Sequence, residues 1–365
     1  MQKKMNKSWG YKYMWVDNSI FKEDLDNVIH NRNIPWENVD GKTILVTGAT
    51  GLIGYNLVNA LLYYGLQNRK PPKVIALVHH IEKAKKLFQE QIIACGSNLK
   101  IIASDICEAL NIPESIHYII HAASQTDSKF FVTNPVETLQ TSIIGTKNIL
   151  ELARKNFPKS VVYLSSMEVY GYPQRGKKVS ETDIGNFQPT EARNSYPLGK
   201  QISECMCCAY AQEYGIQTKI IRLTQTMGPG VDYADNRAFM EFVRCVIEKK
   251  DIILKTKGET ERSYLYTADA VAAILIVMLK GESGQIYNVA NENTYCSIMD
   301  MARLMARVQN LSVEVYLDNI EKYGYAKTLY MNLDTTKVQK LGWHPQIGLS
   351  TMIERLITVV KDKDN

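Results

Sequence analysis

The sequence has little of what marks a secreted, membrane-bound or nucleic-acid-binding chain. Its seven cysteines (Cys95, Cys107, Cys205, Cys207, Cys208, Cys245 and Cys296) are odd in number and irregular in spacing, which excludes a disulfide framework. In "ECMCCAY", Cys205 and Cys208 share a helical face but have no second pair near them, so packed thiols are expected rather than a metal site. Long apolar runs are missing too. The longest, Ala270 to Leu279, falls well short of the roughly 20 residues that span a bilayer and reads as a buried helix. The opening "MQKKMNKSWGYKYMW" is polar and aromatic, without the apolar stretch of a signal peptide. A soluble protein of the reducing cytoplasm, with no membrane partner, is expected. Charge of one sign is scarce: the net charge is +5, and lysines cluster only at Lys83–Lys86 and Lys249–Lys250. These read as solvated faces. No nucleic-acid-binding motif accompanies them, so no nucleic-acid partner is expected. Internal repeats and low-complexity tracts are absent as well.

What is present is ordinary globular composition, 45% apolar and 22% charged, over 365 residues. That length suits one large domain or two closely joined ones. Short β-rich runs start at Thr43, Lys73, Leu99, Tyr118, Ser160 and Thr218, and helical patterns lie between several of them. Such alternation predicts an α/β fold with a Rossmann-type, doubly wound parallel sheet. Residues 1–40 form an N-terminal extension. In it, Ile20, Phe21, Leu25 and Val28 keep helical spacing, with Asn18 or Ser19 as the cap. Residues 41–227 read mainly as the Rossmann domain. Residues 228–365 read mainly as a smaller C-terminal substrate-binding portion, with some segments returning to the first.

Two motifs carry chemistry. "TGATGLIG" places Gly48, Gly51 and Gly54 between a predicted strand and a predicted helix. Glycines there permit a tight turn and close approach of backbone to pyrophosphate, and the helix start supplies unpaired N–H groups. Thr50, Leu52 and Ile53 complete this candidate dinucleotide turn. Asp105 and Ile106, with Ala122 and Ala123, end later strands and are further candidate contacts. The second strand ends in "ALVHH", with Val78 and His79 where a ribose-binding acid is expected. His79 is a candidate contact to the adenosine ribose. NAD is expected, and NADP is not excluded.

The second motif is "YPLGK". Tyr196 and Lys200 stand four apart on a predicted helix and share a face. An ammonium there is expected to lower the phenol's pKa from about 10 and let Tyr196 act as a base. Ser166, at the end of the fifth predicted strand, can bond the same substrate oxygen. An intact Ser166, Tyr196 and Lys200 argue against a non-catalytic dinucleotide-binding regulator.

Together, "TGATGLIG", "SDI", "HAAS", "SSMEVYG", "YPLGK", "RLTQTMGPG", "ERSYLYTADAV", "GQIYNVA" and "LGWHPQIGL" resemble, in order, the extended short-chain dehydrogenase/reductases that modify nucleotide sugars. The resemblance implies a tightly held nicotinamide cofactor that oxidises a sugar hydroxyl, usually at C4. It also implies a homodimer through a four-helix bundle supplied by helices near 135–155 and 196–214. The 4,6-dehydratases of this group carry Asp-Glu after the catalytic hydroxyl, whereas this chain has Met167-Glu168. A thioether cannot donate a proton, which disfavours 4,6-dehydration. The UDP-glucuronate decarboxylases are more similar. Glu168, Arg193, "DNRAF" around Arg237, and Arg262 match that subgroup, and Arg262 stands where an arginine grips the diphosphate. Gln125 and Thr126 complete the candidate substrate contacts. Gln225 and Ser142 replace asparagines usual in the family. The expected activity is C4 oxidation of a nucleotide-diphosphate sugar followed by decarboxylation. The alternatives are 4-epimerisation, then 4,6-dehydration or 4-ketosugar reduction.

Overall fold

Asn18 starts the first helix by accepting the Phe21 backbone N–H at 2.9 Å, which leaves Phe21, Leu25 and Val28 facing inward. The computed structural model describes residues 18–317 and 328–362, so the first fifteen residues discussed above lie outside it. After α1 (Ser19–Ile29) come β1 (Thr43–Thr47), α2 (Leu52–Leu66), β2 (Lys73–Val78) and the short helices α3 (Ile81–Leu87) and α4 (Gln89–Cys95). Then follow β3 (Leu99–Ala103), β4 (Tyr118–His121), α5 (Ser128–Thr133), α6 (Pro135–Asn156), β5 (Ser160–Ser166) and the brief strand β6 (Lys178–Val179). The chain continues through α7 (Ser195–Tyr214), β7 (Thr218–Leu223), β8 (Gln225–Met227), α8 (Ala238–Glu248), β9 (Ile252–Leu254), β10 (Glu261–Tyr266) and α9 (Thr267–Lys280). It ends with β11 (Gln285–Val289), β12 (Asn291–Ser297), α10 (Ile298–Arg307), β13 (Val313–Val315), β14 (Tyr330–Leu333), α11 (Thr336–Gln339) and α12 (Leu349–Asp362).

The main sheet has seven parallel strands in the order β11-β7-β5-β4-β1-β2-β3. It is the expected Rossmann-type sheet. Its order reverses between β1 and β4, and a doubly wound sheet binds ligands outside the strand ends at such a point. Both faces are covered, so β1 and β5 are apolar and buried almost throughout. On one face, Phe21 of α1, Leu57 and Leu61 of α2, and Ile274 and Val277 of α9 pack on Ile44, Val46 and Ile120. On the other, Ile149 and Leu152 of α6 meet Leu45, Ile119 and Val161. The apolar run that looked like a buried helix is α9, and it lies on this central sheet.

A second, mixed sheet runs β12-β10-β14-β6, with β8 added to β10. Behind it, Phe239 and Phe242 of α8, Met301 and Met305 of α10, and Met352 and Leu356 of α12 form a separate apolar cluster.

Two predicted strand ends overshoot for visible reasons. β3 stops at Ala103 because Asp105 turns the chain, its carboxylate accepting the Cys107 N–H at 2.8 Å. β4 stops at His121 because the Ala123 N–H leaves the ladder and donates to Thr47 Oγ1 at 3.1 Å.

One polar cluster ties remote segments together. Asp24 of α1 is buried, accepting Tyr266 Oη–H at 2.7 Å and Arg355 Nη1–H at 2.6 Å. Burial pushes its carboxyl up to about 7, against the pull of Tyr266 and Arg355.

Candidate active site

Backbone geometry explains the glycine turn. Gly48 has φ +63°, in the left-handed region. A Cβ on it would lie 2.8 Å from the Ala122 carbonyl, and one on Gly54 would collide with the Gly48 carbonyl oxygen. The turn therefore has no room for side chains at positions 48 and 54, and it delivers Gly51 as the cap of α2. The first N–H groups of α2, from Leu52, Ile53 and Gly54, have no intrahelical acceptor, and these residues line the recess that adjoins the turn.

Next to the turn lies a cleft of about 1280 Å³. Thr50, His79, Asp105, Ile106, Ala122 and Ala123 all line it, as does Gln125. The bare glycine cradle, the free helix start and the cleft's size fit a dinucleotide. His79 and His80 are exposed at the rim, their rings 4.4 Å apart. One Asp105 oxygen is already used in the turn to Cys107.

Continuous with that cleft through Gly48, Ala122 and Thr126 is a recess of about 220 Å³. Ser166, Glu168, Tyr196 and Lys200 meet there. Three elements bring them together: the end of β5, the short turn Met167–Tyr170, and the first turns of α7. Pro197 sits in the first turn of α7, where a missing N–H costs nothing. Ser166 Oγ accepts the Glu168 backbone N–H at 3.2 Å and so caps the turn that presents Glu168.

Tyr196 and Lys200 are 6% and 3% exposed, and burial dominates their chemistry. Lys200 Nζ donates to the Leu164 carbonyl at 2.7 Å and lies over the Tyr163 ring at 4.8 Å. Burial lowers its pKa to about 7, against the charge of Glu204. The phenol of Tyr196 is not lowered by the lysine, contrary to expectation. Burial raises it well above the ordinary value, and the Glu168 charge adds to that; the Ser166 hydrogen bond and the Arg193 charge oppose. The physical reason is that burial also disfavours the charge on Lys200, whose Nζ is turned to the Leu164 carbonyl and sits 5.8 Å from the Tyr196 ring centre.

Beyond Glu168 a further recess of about 200 Å³ gathers Thr126, Arg193, Gln225, Arg237 and Arg262. Arg193 pairs with Glu168 at 2.8 Å. Arg262 donates to Gln225 Oε1 at 2.9 Å. The Nε atoms of Arg193 and Arg262 are buried without a hydrogen-bond partner, an arrangement that suits an incoming anion. Arg237 lines the recess but is engaged: Asp235 takes its Nε and Nη2, and the Thr226 carbonyl its Nη1.

Met167, read from the sequence as the replacement for an acid, has neighbours that escaped sequence reading. Met167 is buried, its sulfur 3.2 Å from the oxygen of the Thr224 hydroxyl, which donates to the Ser263 carbonyl at 2.7 Å, so an apolar side chain packs where an acid would have to be solvated. Glu204 and Arg222 form a buried two-point pair behind Lys200, with Ser165 also donating to Glu204. Phe131 lies flat on Tyr196. The only trace of it in the sequence is the apolar "FF" between β4 and α6. Among the described residues there is no cluster of potential metal ligands, and no described helix is long and apolar enough to cross a membrane.

A profile of the NAD dependent epimerase/dehydratase family matches residues 44–290. UDP-glucuronic acid decarboxylase 1 of Xenopus tropicalis is 28% identical over 320 residues, covering 87% of this chain and 72% of its own length. UDP-glucuronic acid decarboxylase 5 of Arabidopsis thaliana is 28% identical over 308 residues, 84% of this chain and 85% of its own. The UDP-glucose 4-epimerase of Thermotoga maritima superposes with a TM-score of 0.74 at 21% identity, over 88% of this chain and 100% of that one. DesIV, a dTDP-glucose 4,6-dehydratase of Streptomyces venezuelae solved with NAD bound, gives 0.73 at 22% identity, over 87% and 97%.

Proposed function

This chain belongs to the NAD dependent epimerase/dehydratase family, and from that premise we propose that it oxidises a nucleotide-diphosphate sugar at C4 and decarboxylates it, UDP-glucuronate being the best candidate. The observation that carries this reading is the Glu168–Arg193 pair at 2.8 Å beside Ser166 and Tyr196, with Arg193 Nε still lacking a partner. The decarboxylase relatives support it.

When bound, the dinucleotide supplies a reversible hydride acceptor at the sugar C4. The chain's own residues do the rest. Tyr196 takes the proton of the C4 hydroxyl, and Ser166 steadies that oxygen. Lys200, anchored on the Leu164 carbonyl one helical turn from the phenol, has further N–H donors for a ribose hydroxyl. Arg262, held by Gln225, binds the diphosphate. Arg193 receives the sugar carboxylate on its free Nε while Glu168 sets its orientation. A C4 ketone is β to the C6 carboxylate, so the C5–C6 bond breaks, CO2 leaves and the electron pair settles on the ketone oxygen. C5 then regains a proton, with Glu168 beside it. In this reading residues 41–227 mainly hold the dinucleotide and 228–365 mainly the sugar nucleotide. The protein acts as a cytoplasmic homodimer through α6 and α7, and its free thiols suit a reducing compartment.

A 4-epimerase is the second reading, because Ser166, Tyr196 and Lys200 suffice for it and Glu168 is already paired. Met167, buried on Thr224, disfavours 4,6-dehydration. The test is incubation of the NAD-loaded protein with UDP-glucuronate, UDP-glucose, UDP-GlcNAc and their GDP, CDP and dTDP counterparts. Mass spectrometry separates loss of CO2 from loss of water, and NMR detects epimerisation. Loss of CO2 is expected; an unchanged mass with every uronate, alongside an inverted C4, would establish the epimerase instead.

A further inference from the structure

Phe131 is among the largest fully buried side chains, yet among the described residues it belongs to none of the apolar clusters that pack the two sheets. Its ring meets two residues of the active site. The Phe131 ring is parallel to that of Tyr196, with centres 4.2 Å apart and planes 6° apart. The Arg193 guanidinium lies 5.0 Å from the same ring centre. Ser195 Oγ donates to the Phe131 carbonyl at 3.4 Å. The short helix α5 thus meets the turn before α7 at residue 193 and the start of α7 at residues 195 and 196, and Arg193 in turn holds Glu168.

We propose that Phe131 is a positioning residue: its ring sets the plane of the Tyr196 phenol and the place of the Arg193 guanidinium, and so spaces the proton acceptor from the Glu168 carboxylate. The inference rests on Tyr196 being the base of the proposed reaction. An aliphatic side chain could fill the same volume, but only a flat ring can align a second flat ring. The same ring keeps water from the phenol. Burial is the largest influence on Tyr196, and the charged or ionisable groups facing it are Glu168, Arg193, Lys200 and Tyr163. α5 adds no charge to that set. Opening this side to water therefore moves the phenol toward its ordinary value.

The test uses the full-length, NAD-loaded protein with Phe131→Leu, Phe131→Ala and Phe131→Tyr. Leucine and alanine should lower kcat about 10-fold or more with little change in KM, as expected when a reacting group loses its alignment. Tyrosine, which keeps the ring, should restore kcat. In the alanine variant the acid limb of the kcat profile should move to lower pH. A second readout needs no turnover: nitration of Tyr196 by tetranitromethane, followed by peptide mass spectrometry with buried Tyr266 as the internal reference. Nitration at Tyr196 should rise several-fold in the alanine variant. Wild-type kcat, pH profile and nitration in the leucine and alanine variants would overturn the proposal. So would a tyrosine variant as impaired as alanine. Should alanine fail to fold, the leucine variant, which keeps the apolar volume, decides. If the wild type turns over no nucleotide sugar, the reaction assignment falls, while the nitration result still judges Phe131.

Discussion

The two ends of the catalytic recess manage charge in opposite ways. At the Lys200 end, burial sets the titration: a lysine is brought down to about 7 and a phenol is pushed up, with a carbonyl rather than a carboxylate as the lysine's immediate partner. At the Glu168 end, opposite charges stand side by side in partial contact with solvent: Glu168 is 29% exposed and Arg193 21%. A buried lysine held near 7 suits proton transfer, because small changes in its surroundings move its pKa across the working range. A paired, half-open set suits recognition, because an arriving anion can compete for a guanidinium already in place.

Mutations can break that contrast in order of severity. Tyr196→Phe should abolish turnover, lowering kcat by ~10²–10⁴-fold, with NAD binding unchanged by calorimetry. Glu168→Gln should lower CO2 release by about 10²-fold while nucleotide-sugar binding persists; retained epimerisation would move the assignment to the second reading. Lys200→Met sharpens the buried end through stability. In the fold Lys200 titrates at about 7, below the ordinary lysine value of 10.5. Between those values the unfolded chain binds more protons, so this residue makes stability rise with pH. The Tm gain of Lys200→Met should therefore be greatest below about pH 7 and fade toward about pH 10. The smallest effect belongs to the open end. Gln225→Ala removes one hydrogen bond to Arg262. At about 1 kcal/mol it should raise KM roughly 5-fold and leave kcat intact.

The two ends also differ in how far the sequence reveals them. The limits of β2 and β5 and the start of α7 are readable because apolar runs and Gly or Pro punctuate them. The second sheet is not. β12 is the polar "NENTYCS", β6 is two residues long, and β14 pairs with strands far away in the chain. Such strands are made by tertiary pairing rather than by local pattern. α12 carries Met352, Ile353, Leu356, Ile357 and Val360 at helical spacing, a signal legible in principle. In the site, Ser166, Glu168, Tyr196 and Lys200 can be picked out as side chains that carry chemistry. Their charge states cannot, because burial from Leu164, Tyr163 and Phe131 decides them. The expected lysine-lowered phenol fails for that reason.

Asp24 has a consequence for how the chain can be shortened. The carboxylate holds residue 266, at the end of the strand that begins beside Arg262, and residue 355, in the last helix. Trimming the protein back to its first strand would strand a guanidinium and a phenol in an apolar seam. The helix that carries Asp24 is a keystone shared by both sheets.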